Sequence, residues 1–398
     1  MAESDEDKTP AREKIVEYAQ GLYDYFRTPG GVIYAQRTGH PVARPMKAQG
    51  SQNVMSHRQE LIIGMRRDAV GSFSGTALKE ALEILEAEAF DSPARPVHTR
   101  VGSCAKAPGV TWLDLGRDDG QSVRIAPGEW TVRRPTPDEV TWRRTAMTGE
   151  LPMPVREQGF DGVDALLGLC NFKDGASAAL AIAFLVGCLE PDVPVPAPFL
   201  TGPQGAGKST AGRMLVRVVE GMTGDLRRPP KDEESLITAA SAGWVTGLDN
   251  LSHLTADMSD LMCCVITGAE NVKRALYSDG DVVRQTLRRP VLLTGIDVGV
   301  LRPDLAERLL AMKLERPTVR RSEADIWSAF TEALPATLGS LLDVTAAVRA
   351  ADCDVPEDLR MADFARLCGR LDKAYSLGAL DAYRAALDDL NDDVIEGD

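Results

Sequence analysis

The stretch TGPQGAGKST, residues 201–210, sets Gly202, four intervening residues, Gly207, Lys208 and Ser209 between the short apolar run PFL and the helical pattern AGRMLVRVVEG. A phosphate-binding loop needs this spacing, because successive backbone N–H groups must converge on phosphate oxygens and glycines permit the turn. Pro203, Gln204, Gly205 and Ala206 form the body of the loop, and Thr210 follows Ser209 into the helix. Lys208 would reach the β and γ phosphates, Ser209 would hold Mg²⁺, and the helix N-terminus favours the anion. The implied ligands are ATP and Mg²⁺.

Asp249, 41 residues beyond Lys208, closes the apolar strand pattern WVTGLD, a place for a carboxylate that binds Mg²⁺ through water. Asn250 comes next, an amide where many ATP-hydrolysing enzymes carry a second acid. An amide takes no proton at neutral pH. Phosphoryl transfer proceeds through a loose transition state, however, so positioning the water matters more than deprotonating it, and slow hydrolysis is expected to survive. Thr294, ending the next strand pattern in VLLTGIDV, is a second side chain able to orient water, or simply a strand-end threonine. In RPDLAERLL, Arg302 and Arg308 lie on or beside a helix; an arginine presented to a neighbouring copy's ATP implies a ring, with Arg308 favoured for the role. The plain alternative is a solvated or salt-bridged arginine.

Between these motifs, VKRALYSDGDVVRQTLRRP reads as a tight hairpin turning at Ser-Asp-Gly-Asp and flanked by Lys273, Arg274, Arg284, Arg288 and Arg289. In a ring, such hairpins would line the channel and grip the phosphates of a single DNA strand. Residues 273–321 carry eleven Lys or Arg against six Asp or Glu, in a chain whose net charge is -14. The charge therefore argues against broad, nonspecific coating of nucleic acid, and any contact must be local. Acid gathers at both ends, in MAESDED and in residues 381–398, where seven acids face one Arg.

The elements that must position these residues fall into three patterns. Residues 1–155 read as an α+β domain: an amphipathic helix over 76–90, strands over 111–115, 122–126 and 129–134, then proline-rich linkers PTPDEV and LPMPV. Residues 156–320 alternate helices with short apolar strands, the signature of an α/β core with a parallel sheet. Residues 321–398 are helical, ending in the acidic tail. The apolar run over 176–189 falls short of the roughly 20 residues that span a bilayer and is expected as a buried helix. No signal peptide pattern opens the chain, and the seven cysteines form no CxxC pair, which together suggest a cytoplasmic protein with reduced thiols. The histidines at 40, 57, 98 and 253 have no metal-ligand spacing. Asp114, Asp118 and Asp119 in WLDLGRDDG are the nearest candidates for a metal-binding carboxylate pair, though two of them sit in a turn where such residues occur for backbone reasons.

From GPQGAGKST through LDNLS and RALYSDGD to RRPVLLTGID and RPDLAERLL, the chain resembles the AAA+ ATPases of helicase superfamily 3. It is more closely similar to ATP-binding proteins of bacterial mobile elements and phages labelled primase or helicase-like. YFRTPGGVIYA, TWLDLGRDDGQSVRIAPGEW and RMADFARL extend the likeness over most of the chain. The resemblance implies an AAA+ P-loop core, a hexamer and an ATP-driven DNA helicase or translocase. In that group Asp followed by Asn is usual, while its sensor position typically holds Asn where this chain has Thr294. A different class of reading is an ATP-switched oligomer in regulation or phage defence that hydrolyses little.

Overall fold

A computed structural model of the chain describes residues 10–46, 55–71, 73–104, 106–156, 159–252, 254–268, 270–274, 282–295, 302–356 and 358–395; for 270–274, 282–286 and 390–395 it describes the backbone only. Packing divides it into two compact units, Met1–His98 with Arg134–Ala146 and Thr99–Arg133 with Met147–Asp398.

In the first unit, α1 (Ala11–Gln20), α2 (His57–Arg67) and α3 (Gly75–Asp91) accompany strands β1 (Tyr23–Arg27), β2 (Ile33–Arg37), β3 (Val42–Pro45) and β8 (Trp142–Arg143), which form a four-stranded sheet in the order β1-β2-β3-β8. Helix α3 buries Leu78, Ala81, Leu85 and Ala89, the stripe its spacing predicts. Ser56 opens α2 with a reciprocal capping box to Gln59.

The second unit begins with an antiparallel meander, β4 (Val101–Ser103), β5 (Thr111–Asp114), β6 (Ser122–Ala126) and β7 (Glu129–Arg133). The sequence pattern groups these strands with the N-terminal residues. In packing they join the C-terminal part of the chain, because β5 is buried on both faces and Leu113, Val123, Ile125 and Trp130 enter the same core as the helices beyond residue 160. Trp130 Nε1 donates to Asp343 Oδ1 at 2.7 Å.

Beyond α4 (Asp161–Leu167) and α5 (Gly175–Cys188) come β9 (Ala197–Thr201), α6 (Lys208–Glu220), β10 (Leu226–Arg227), α7 (Glu233–Ala242), β11 (Thr246–Leu251) and α8 (Ala256–Thr267). The paired strands β12 (Glu270–Arg274) and β13 (Val282–Thr286) precede β14 (Val291–Gly295), α9 (Pro303–Ala306) and β15 (Leu309–Lys313). Strands β10, β11, β14, β9 and β15 lie in that order in one parallel sheet. The first of them in the chain thus stands between the last two, and the carboxyl ends of β9, β11 and β14 lie along one edge, where open α/β sheets bind ligands. Helix α5, apolar all round, is buried without interruption from Ala179 to Cys188, as such a helix must be. Helices α10 (Glu323–Ala350), α11 (Ala362–Tyr375) and α12 (Ala379–Ile395) complete the unit. Among the described residues no helix is long and apolar enough to cross a membrane.

β12 and β13 pair antiparallel from Glu270↔Thr286 to Arg274↔Val282. The expected Ser-Asp-Gly-Asp turn, His253 and the last three residues lie outside the described residues, and of Lys273, Arg274 and Arg284 only the backbone is described.

Candidate functional site

Strand β9 delivers the chain into the glycine loop and α6 takes it away. Gly202 has φ 145 and carries no Cβ because one would lie 2.3 Å from the Leu314 carbonyl oxygen. Gly207 caps α6 in the left-handed region at φ 84, a conformation open to glycine without strain. Within the loop Ala206 N–H bonds the Pro203 carbonyl at 3.1 Å, and Lys208 Nζ donates to the carbonyls of Gly202 at 2.7 Å and Pro203 at 3.2 Å. Gln204 and Gly205 are exposed, Ala206 is buried, and Ser209 and Thr210 lie half-buried on the first turn of α6, whose leading N–H groups have no intrahelical acceptors.

Across the sheet edge, Ser209 Oγ donates to Asp249 Oδ1 at 2.7 Å and Thr294 Oγ1 donates to the same oxygen at 2.5 Å. The geometry comes from an irregularity: the β11–β14 register shifts between Leu248 and Leu251, and Asn250 takes φ 59 at that bulge. Asparagine is among the few residues that adopt this conformation readily. Asn250 N–H bonds Thr294 Oγ1 at 3.0 Å, so Thr294, 1% exposed, accepts from one strand residue and donates to its neighbour. Its hydroxyl is engaged by protein on both sides, while the Asn250 amide is exposed at the edge.

The two arginines singled out in the sequence stand apart in character. Arg302, at the N-cap of α9, pairs with Asp260 at 3.0 Å and its side chain is 48% exposed. Arg308 follows α9, pairs with Asp304 at 2.9 Å and is 12% exposed. The Arg308 guanidinium, above all, holds the Asp304 carboxyl down at about 2. Arg288, beyond the end of β13, reaches the Pro191 carbonyl and lies 3.9 Å from Asp192. Arg289 donates from Nε to the carbonyls of Ala240 at 3.0 Å and Gly243 at 3.1 Å, bracing the entry to β11.

Two residues at the loop have no signal in the sequence. Asn171 Nδ2 donates to the Ala206 carbonyl at 3.2 Å, and Arg316 Nε donates to the Gln204 carbonyl at 3.0 Å. Both arrive through the β15–β9 pairing and the bridge between Phe172 and Leu314, contacts that local spacing does not encode.

Ser209 and Asp249 offer adjacent hard oxygen donors, one hydroxyl and one carboxylate, which suits a magnesium ion that completes its shell with nucleotide oxygens and water. Two of the three carboxylates in WLDLGRDDG are engaged structurally. Asp114 Oδ1 accepts Gly116 N–H at 3.0 Å, and Asp119 accepts Gln121 N–H at 3.0 Å while pairing with Arg117 at 3.2 Å. Among the described residues, no three or more His, Cys, Asp or Glu are grouped to hold a metal.

Fold and site thus define a mixed α/β protein whose glycine loop, lysine, hydroxyls and carboxylate meet at the carboxyl edge of a parallel sheet. Residues 163–393 match the model of the actinomycete integrative conjugative element replication protein, and residues 12–91 match that of the AICE Reps-like N-terminal domain. The chain belongs to this family of mobile-element replication proteins. A search of curated proteins returned no match. Among solved structures, the apo NrS-1 C-terminal region is 10% identical, with a TM-score of 0.46 over 95% of this chain and 75% of that one. The active helicase SCCmec type IV Cch is 12% identical, with a TM-score of 0.43 over 94% and 73%. The JCV helicase bound to a thiazolopyridine compound is 12% identical, with a TM-score of 0.26 over 58% and 73%. None of these superpositions reaches a TM-score of 0.5.

Proposed function

We propose that this replication protein is an AAA+ P-loop ATPase of the superfamily 3 kind, working as a hexameric ring that unwinds DNA or translocates along a single strand. The observation that carries the reading is the convergence of the Ser209 and Thr294 hydroxyls on one carboxylate oxygen of Asp249, beside Lys208 and the glycine loop. Lys208 would leave the loop carbonyls for the β and γ phosphates, and Ser209 with Asp249 would hold Mg²⁺, which neutralises phosphate charge when bound. Thr294 would fix the carboxylate, and the Asn250 amide would orient the attacking water. That water's oxygen bonds the γ-phosphorus as the bridging P–O bond to ADP breaks; ADP leaves with the electron pair and the water's proton passes to solvent. Arg302 and Arg308 are the arginines proposed to face a neighbouring copy, and both would first exchange their own carboxylate partners. For exposed Arg302 that exchange is small, since surface pairs are worth about 0–1 kcal/mol.

Lys273, Arg274, Arg284 and Arg288 would supply the DNA contacts. The test is ATP turnover with and without single-stranded DNA, for the wild type and for Arg274→Ala combined with Arg284→Ala. Stimulation by DNA that disappears in the variant, with basal turnover kept, is expected. Turnover indifferent to DNA in the wild type removes the motor.

A further inference from the structure

We infer that Arg316 is a phosphate-contacting arginine that acts within its own chain, an assignment that rests on the ATPase reading above. Backbone contacts fix its position. β15 pairs with β9 as far as Lys313↔Thr201, Leu314 N–H bonds the Thr201 carbonyl at 2.9 Å, and Glu315 N–H bonds the Asn171 carbonyl at 2.9 Å. The Leu314 carbonyl fills the space beside Gly202 that a Cβ would need. Two residues beyond Leu314 stands Arg316, whose Nε–H reaches the carbonyl of Gln204 in the middle of the loop.

That hydrogen bond uses only Nε. The Nη1 and Nη2 groups have no protein partner among the described residues, and the side chain is exposed at the loop that Lys208 closes. A guanidinium held at one nitrogen, with its remaining N–H donors turned to no carboxylate, suits phosphate oxygens, which it binds in a two-pronged way that an ammonium cannot copy. Arg302 and Arg308, by contrast, are both committed to carboxylates of the same chain. As the P–O bond to ADP breaks, Arg316 would neutralise charge on the phosphate oxygens while neither gaining nor losing a proton.

The test uses the full chain as wild type, Arg316→Ala and Arg316→Lys, measuring kcat and the affinities for ADP and for a slowly hydrolysed ATP analogue. Arginines that stabilise transferring phosphoryl groups are worth roughly 10³–10⁵ in rate, so kcat should fall by more than about tenfold in both variants. ADP affinity should stay within about twofold while the ATP analogue binds more weakly than to wild type. A fall in kcat of less than about tenfold overturns the assignment. So does an equal loss of ADP and analogue affinity, which would mark Arg316 as a brace for the loop. Mixing Lys208→Ala with Arg316→Ala protein should restore no turnover; recovery would place the arginine's action across a subunit boundary. A wild type that hydrolyses no ATP sinks the ATPase reading itself, whereas normal wild-type turnover with an unaffected Arg316→Ala sinks only the arginine.

Discussion

At Asn250 the demands of backbone and side chain can be separated by mutation. The residue sits at φ 59 in the β11 bulge, where its N–H bonds Thr294 and its amide is exposed. An ordinary side chain in the left-handed region costs roughly 1–2 kcal/mol, so Asn250→Ala should lower stability by about 1 kcal/mol in urea unfolding. Asn250→Gly should not, because glycine accepts that conformation freely. If the amide orients water, both variants should lose turnover by about tenfold or more. Wild-type turnover in Asn250→Gly would show that the amide serves the backbone alone. The place of the glycine loop between β9 and α6, and of Asp249 on β11, could be read from the sequence because glycine spacing and apolar strand patterns are local. The bulge could not, since it depends on how β11 and β14 register, and neither could Arg316, which the β15–β9 pairing brings to the loop from 112 positions beyond Gln204.

Among the elements, α2 carries a titration that should be measurable. His57, at its first position, is fully buried, shares a 2.9 Å hydrogen bond with the Tyr25 hydroxyl and makes an edge contact with Tyr23. Burial, with the charge of Arg44 adding to it, pushes its pKa down to about 4. An unfolded imidazole titrates near 6.5, so between about 6.5 and 4 the unfolded state binds more protons than the folded one. The first unit should therefore be stable above that window and lose up to roughly 1.4 kcal/mol per pH unit as pH falls through it. Amide exchange over residues 12–67, followed across this range, should show the slope in wild type and its loss in His57→Phe. Equal slopes in the two proteins would contradict the assignment. Elements of this kind were legible where apolar residues mark what is buried: α3 follows its one-faced stripe and α5 its unbroken apolar run. The allegiance of the β4–β7 meander was not, because alternation marks a strand without saying which core it joins.

Across the larger compact unit, the far end of the site is tied to the meander by a buried ion pair. Arg100, with φ 61 and its side chain fully buried, donates to the carbonyls of Asp114, Gly149 and Glu220 and lies 3.6 Å from Glu220 Oε2. Glu220 in turn accepts Trp244 N–H and Val245 N–H. It closes α6, whose other end bears Lys208 and Ser209, and the strand it holds leads to Asp249. Losing one partner of such a buried pair costs about 3–5 kcal/mol, so α6 and β11, which carry Ser209 and Asp249, share an anchor remote from the glycine loop. With a net charge of -14 and a local excess of cations over residues 273–321, any contact with DNA is expected to be local. The most direct test of the proposed chemistry is magnesium-dependent ATP hydrolysis by the full chain beside Asp249→Ala. Wild type should turn over ATP only with Mg²⁺, and Asp249→Ala should keep ADP binding through the loop but lose about 10²-fold or more in rate. Hydrolysis at the wild-type rate in Asp249→Ala would contradict it.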